Sequence, residues 1–134
     1  LAFDPTSQLL YIADTGNHRI AVLDTTSGQT GGPILPNYNN ADQYFVDEAQ
    51  LWTLVSGIDM GLISPSGMAL NQDVLYVTDN ATSRISAFSL DGSLLDWLET
   101  DLPAGSLMGL DIGEDGNLYL VDAIANQVHR ISPL

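Results

Sequence analysis

The 134-residue chain has the length of one ordinary domain, and 45% of its residues are hydrophobic, which is sufficient for a core. Its formal net charge is −14, with three arginines and no lysine, so it lacks the clustered cations that bind nucleic acid or an anionic membrane surface. No apolar run reaches the ~18 residues of a transmembrane helix, and the lack of cysteine excludes disulfides and thiolate metal sites.

A unit of strand, aspartate, polar turn and second strand occurs three times along the chain. It reads LLYIADTGNHRI at residues 9–20, VLYVTDNATSRI at 74–85 and LYLVDAIANQVHRI at 118–131. The first strand of each unit ends in Asp14, Asp79 or Asp122, and Arg19, Arg84 or Gln127 follows five residues later. Asp79 and Asp122 are 43 residues apart, a period typical of β-propeller blades with four short strands each.

The first blade is predicted at about residues 1–28, and an insert at about 29–64 separates it from the second. The insert begins with turn-forming glycine, proline and asparagine, and then mixes acidic with aromatic residues. It is interpreted as a long loop, with a short helix or an outer strand near 51–55 as options. Long loops on rigid scaffolds often carry binding function, although packing over a blade edge explains such a segment equally well.

The second blade is predicted at about residues 65–104, with strands at 67–70, 74–78, 84–89 and 94–98. Asp91-Gly92 lies between the last two of these strands and is a strong hairpin signal. The third blade, at about 105–134, repeats this signal at Asp115-Gly116 and ends after its third strand, at Ile131. Propellers typically have four to eight blades, so we expect further blades from a longer polypeptide, from other copies of the chain or from another protein. Two copies would make a six-bladed ring.

These repeats resemble the NHL family of β-propellers. Asn17-His18-Arg19-Ile20 follows Leu10 to Gly16 much as the Asn-His signature of that family follows its strand and aspartate, and Pro65-Ser66-Gly67 resembles the Pro-x-Gly opening of a family repeat. Blade three departs from the pattern, because Gln127 replaces the arginine. The resemblance implies an all-β fold, namely a segment of about three four-stranded NHL-like blades from a six-bladed ring. It implies no activity, since the family contains binding platforms and some enzymes.

The repeated charged residues are interpreted as structural. A short aspartate side chain just beyond a strand accepts backbone N–H groups of the turn, which is the role predicted for Asp14, Asp79 and Asp122. Arg19 and Arg84 are expected to be hydrogen-bond or ion-pair partners between blades, including with those carboxylates. The two histidines occupy different repeat positions, and 111–117 lacks the distal glutamate of a calcium loop. No motif therefore predicts a catalytic site, a metal site or a cofactor, although calcium and zinc remain compatible with the composition.

The sequence favours a non-catalytic binding or assembly module over an enzyme. Its partner would be a protein or the blades that complete the ring, and the residues expected to contact a protein partner are Tyr38, Tyr44, Phe45 and Trp52, because aromatic side chains dominate interface hot spots. One alternative is a metal-dependent lyase or hydrolase whose site needs further blades. A second is a structural unit of an extracellular fibre or surface assembly. The acidic, lysine-free composition favours a secreted, extracellular or periplasmic location.

Overall fold

The computed structural model describes residues 1–36 and 42–132, which form thirteen β-strands and two single-turn 3-10 helices. Most strands belong to three antiparallel sheets that follow one another along the chain. The all-β prediction is therefore confirmed. Within the described residues, no helix has the length and apolar character needed to cross a membrane.

Blade one and the insert contain the first six strands. They are β1 (Ala2–Asp4), β2 (Leu9–Asp14), β3 (Arg19–Asp24), β4 (Gln29–Pro33), β5 (Tyr44–Asp47) and β6 (Leu51–Ser56). The blade is a four-stranded sheet in the order β1-β2-β3-β6, while β4 and β5 pair only with each other. The outer strand suggested near 51–55 thus exists, and the blade does not end at residue 28. The insert proper is the β4–β5 hairpin and its connections.

Blade two is a four-stranded meander, built from β7 (Pro65–Asn71), β8 (Val74–Asp79), β9 (Arg84–Ser89) and β10 (Leu94–Glu99). These bounds lie within two residues of the predicted ones. The turn between β9 and β10 contains Gly92 at φ +90°, in the left-handed region that glycine enters without steric strain. The local turn chemistry therefore sets the register of this hairpin.

Blade three has three strands within the described residues, β11 (Leu107–Ile112), β12 (Leu118–Asp122) and β13 (Gln127–Ile131). Gly116, at φ +75°, allows the tight turn between β11 and β12. The Oδ1 atom of Asp115 accepts the backbone N–H of Asn117 and closes this turn. The third-strand end predicted at Ile131 agrees with the end of β13.

The core lies between the blades, in two hydrophobic clusters. The cluster between blades one and two is Tyr11, Ile20, Val22, Val55, Leu62, Met68, Leu75, Val77 and Phe88. The cluster between blades two and three is Tyr76, Ile85, Ala87, Leu107, Leu118 and Leu120. Because β8 and β9 contribute alternate residues to the two clusters, blade two is buried on both faces. Each fully buried large side chain stabilises the fold by about 1.5–3 kcal/mol, so packing between blades is a large contribution to the stability of the chain.

Candidate functional site

The three repeated aspartates lie at the ends of β2, β8 and β12, where each chain segment turns into the next strand. In blade two, Oδ1 of Asp79 accepts the backbone N–H groups of Ala81 and Thr82, both at 3.0 Å. In blade three, Oδ1 of Asp122 accepts the N–H groups of Ile124 and Ala125 at the same distance. These bonds hold the turn, because a carboxylate satisfies two donors that the strand ladder leaves free.

The second oxygen of Asp79 joins blade two to the segment that precedes it. Oδ2 accepts the backbone N–H of Ile63 at 2.6 Å and that of Ser64 at 2.7 Å, and the side chain is buried. Both donors belong to the connection between β6 and β7. Asp79 therefore holds its own turn and the entrance to its blade at the same time, with four N–H groups on one carboxylate.

Asp122 and Asp14 occupy the same repeat position with different partners. Asp122 is buried, and Nε2 of His129 lies 3.4 Å from its Oδ2 atom. The N–H of Ala125 above all, and then His129, hold the pKa of Asp122 below its ordinary value against the opposing effect of burial. Asp14 is only partly shielded; hydrogen bonds from the Arg19 guanidinium, at 2.7 Å, and from Asn17 lower its pKa. A shared motif thus does not produce three equivalent carboxylate sites.

The two repeat arginines contact their own sheets, and the ion pair of Arg19 with Asp14 is a contact with a repeated carboxylate of the kind that the sequence suggests. Arg19 donates to Thr53 on β6 as well as to Asp14. The Arg84 guanidinium lies 4.7 Å from the ring centroid of Trp97 on β10, and its Nε atom is 3.7 Å from Glu99. The physical reason is that each arginine begins a third strand, which has the outer strand of the same blade beside it.

The predicted partner-binding residues lie in the insert and on the outer strand of blade one. Tyr44 and Phe45 are exposed on β5, and Trp52 is exposed on β6. Tyr38 lies outside the described residues. Trp97 is a further exposed aromatic residue that the sequence reasoning missed. Its place in the outer strand, where one face of the strand looks to solvent, was the available signal.

Shallow cavities lie between elements of the described part of the chain. One of about 280 Å³ between blades two and three includes Leu98, Glu99, Leu120, His129 and Arg130. One of about 390 Å³ beside the hairpin includes Leu23, Asp24, Val46 and Ala49. One of about 400 Å³ is formed by turns of blades one and two, including Phe3, Asp4, Gln72 and Asp73. Among residues 1–36 and 42–132, no group of three or more histidine, cysteine, aspartate or glutamate residues could hold a metal ion.

Solved structures similar to this chain include the virginiamycin B lyase of Staphylococcus aureus, a β-propeller. The match has a TM-score of 0.54 and 19% sequence identity, and it covers 92% of this chain and 48% of the lyase chain. The chain thus spans about half the length of that protein. No protein-family model matches the chain, and no curated protein matches it in sequence. The similarity confirms the predicted propeller segment as the fold.

Proposed function

We propose that the chain is a non-catalytic binding or assembly module of NHL type, which presents the β4–β5 hairpin and the adjoining part of β6 to a protein partner. The observation that carries this proposal is the exposure of large apolar side chains on β5. Phe45 is 56% exposed, and Tyr44 and Val46, which alternate with it along the strand, are exposed as well. Trp52 follows on β6 and is also exposed.

Such exposure on both faces of a short strand favours contact with another molecule. A two-stranded hairpin has no second layer of its own to bury apolar side chains, and the blade sheet of β1, β2, β3 and β6 does not include it. Tyrosine and tryptophan supply large contact areas and are enriched among residues that dominate binding energy. A partner that covers the hairpin would remove this apolar surface from water.

The charge near the hairpin favours a partner with a cationic rim. Asp42 precedes β5, Asp47 ends it and Glu48 follows directly, while the whole chain carries a net charge of −14. Complementary potentials accelerate association and disfavour partners of like charge. The proposed partner surface is therefore an apolar or aromatic groove bordered by lysine or arginine.

Selection from a displayed random-peptide library tests this function directly, because it requires no identified partner. We expect the selected peptides to combine aromatic with basic residues. Phe45→Ser should weaken their binding by about 30-fold, as expected for a hot-spot residue worth ~2 kcal/mol. Leu95→Ser is the matched control, because Leu95 is 55% exposed on β10, in a different blade. Peptides that bind the Phe45→Ser variant as tightly as the unmodified chain would contradict the proposal.

The metal-dependent enzyme is a second candidate, favoured by the structural similarity to a protein named as a lyase. Its site would combine residues of this chain, with His129 beside the cavity between blades two and three as one candidate, with ligands from further blades. Elemental analysis of the purified protein distinguishes the two candidates. Stoichiometric zinc or calcium that is lost on His129→Ala would favour the enzyme and count against a purely binding role.

A further inference from the structure

The guanidinium of Arg84 is held in place without a hydrogen bond to the described residues. The side chain is 18% exposed, and its Nε atom is buried without a partner. The carboxylate beside it belongs to Glu99, whose Oε1 atom lies 3.7 Å from Nε, beyond hydrogen-bond distance. The Nη atoms make no hydrogen bond with residues 1–36 or 42–132 either. Because Nε is buried, the Nη atoms are the donors that a small molecule can reach.

The corresponding arginine of blade one has its donors occupied. Arg19, 65 positions earlier, donates to Asp14 at 2.7 Å and to Thr53 at 2.8 Å. Asp79 is the counterpart of Asp14, but its carboxylate accepts four backbone N–H groups instead of the arginine. The same repeat position therefore holds a satisfied arginine in blade one and an unsatisfied one, Arg84, in blade two.

Packing fixes the Arg84 guanidinium between two neighbours. The ring centroid of Trp97, on the outer strand β10, lies 4.7 Å from the guanidinium carbon. On the other side is Gly61, in the connection between β6 and β7, where a Cβ would lie only 2.7 Å from Nη1 of Arg84. Gly61 also has φ +77°, which glycine adopts without strain. The cation is thus preorganised, so a ligand would not have to immobilise a free side chain.

Two tryptophans lie at the outer end of the joint between blades one and two, which are both complete four-stranded sheets. Trp52 pairs across strands with Val22, a core residue of this joint, so it lies on the face of blade one that meets blade two. Trp97 pairs with Ser86, which shares a face with the core residue Phe88, so it lies on the opposing face of blade two. Trp52 is 40% exposed and Trp97 51%. Aromatic surface is therefore available beside the guanidinium.

We propose that Arg84 and Trp97 form a binding site for a small aromatic carboxylate. A carboxylate accepts two parallel N–H bonds from a guanidinium, and such pairs are stronger than neutral hydrogen bonds. The attached aromatic ring would bury apolar surface against Trp97 and Trp52. A phosphate dianion fits less well, because Glu99 and the net charge of −14 repel an anion in proportion to its charge. The ligand is thus a monoanion that is recognised by short-range geometry.

Phenylacetate is the first probe, and phenylacetamide is its uncharged counterpart of nearly the same shape. In proton–nitrogen NMR spectra each of the two tryptophans gives one indole N–H signal, which Trp52→Phe and Trp97→Phe assign. We expect phenylacetate to shift the Trp97 signal with a dissociation constant of about 1 mM, and phenylacetamide to bind about tenfold more weakly or worse. Equal binding of the two compounds, or no shift at about 10 mM phenylacetate, would overturn the proposal.

Substitutions of the two repeat arginines separate a binding role from a structural one. Arg84→Gln should weaken phenylacetate binding about 10–100-fold, because a charge-assisted bond is lost. Arg84→Lys should weaken it about tenfold, because an ammonium keeps the charge but not the two parallel donors. Arg19→Gln is the matched control and should leave the affinity unchanged, since the donors of Arg19 are occupied. If a folded Arg84→Gln variant binds phenylacetate as tightly as the unmodified chain, or if Arg19→Gln weakens binding equally, the site is not at Arg84.

Two further variants test the electrostatics of the site and its independence from the hairpin. Glu99→Gln removes a negative charge beside the guanidinium and should tighten phenylacetate binding about threefold. Phe45→Ser, the variant that tests the proposed function, should leave this affinity unchanged, because Phe45 lies on β5 of the insert. Weaker binding in Glu99→Gln would contradict recognition of an anion at this site. Weaker binding in Phe45→Ser would place the ligand at the hairpin and overturn the proposal.

Discussion

Removal of the Asp79 carboxylate should destabilise the chain more than any other change at a repeated turn. Asp79→Ala leaves four backbone N–H groups without their acceptor, two in the turn after β8 and two in the connection before β7. The turn donors can be rehydrated, whereas the donors of Ile63 and Ser64 face a buried side chain. Loss of a hydrogen bond to a charged group costs about 1.5–3 kcal/mol, so the two connection donors alone predict a loss of about 3–6 kcal/mol.

Urea unfolding followed by fluorescence of the two tryptophans measures this loss. The protein concentration must be held constant, because association would add to the apparent stability. An unchanged slope against urea would show that the same surface unfolds in each variant. Asp14→Ala is the matched comparison, since Asp14 has the same repeat position but accepts from two side chains near solvent. If Asp79→Ala lowers the free energy of unfolding no more than Asp14→Ala does, the bonds to the connection do not stabilise the fold as argued.

Three further changes follow from the same contacts. The pKa of Asp122 is lowered in the folded chain, chiefly by the Ala125 N–H, so its contribution to stability is present above the ordinary aspartate pKa of about 3.9 and is lost as the pH falls through the folded-state value. Urea titrations between neutral and acidic pH should show this loss of stability, and Asp122→Asn should make the loss smaller. If relief of the net negative charge dominated instead, stability would rise on acidification. Gly67→Ala should lower the free energy of unfolding by about 1–3 kcal/mol, because a Cβ there would lie 2.5 Å from the Leu110 nitrogen of blade three. Gly16→Ala is the control and should change the free energy of unfolding little, since a Cβ at Gly16 would meet no atom within 4 Å. Equal losses of stability in calorimetry would refute the close approach of β7 and β11. Arg84→Gln removes the cation from the Trp97 ring and should cost about 0.5–1 kcal/mol; an unchanged emission spectrum and melting temperature would count against that contact.

The strands of blade two could be predicted because each is a short apolar run with a turn signal on either side. Asp91-Gly92 and the residues around Gln72 are local features, and local features are what a single sequence displays. For the segment near residues 51–55, the sequence leaves a short helix and an outer strand equally open, because the β4–β5 hairpin separates β6 along the chain from β3, with which it pairs. Nothing within 51–56 indicates pairing across such an insertion, since register depends on contacts that are distant in the chain.

The sequence predicts the pairing of Arg19 with Asp14 but not the contacts of the arginines with the outer strands, for a related reason. Repetition suggests one role for Arg19 and Arg84, yet the residue that each arginine meets on the outer strand is Thr53 in blade one and Trp97 in blade two. The outer strands of blades one and two differ, LWTLVS against LLDWLE, whereas the aspartate that ends the second strand is present in all three repeats. The sequence therefore predicts the repeated strand–aspartate–turn unit of each blade, while the contacts of its arginine depend on the outer strand beside it, which differs between blades. The exposed Trp97 escapes prediction on the same grounds.

The contacts and burial of a residue at a given repeat position depend on whether its blade is at the end or in the middle of the three. Each repeated aspartate accepts hydrogen bonds from its own turn, and within residues 1–36 and 42–132 Asp79 is the one that also accepts two N–H groups from the connection to the previous blade. In the same way, Ile85 is a core residue while Val128 is a surface residue, although both occupy one repeat position. In repeat architectures, stability comes from neighbouring units as well as from each unit itself. Blade two therefore shows what a completed blade contains, and the positions at which blades one and three differ from it mark the surfaces that a neighbouring blade would cover.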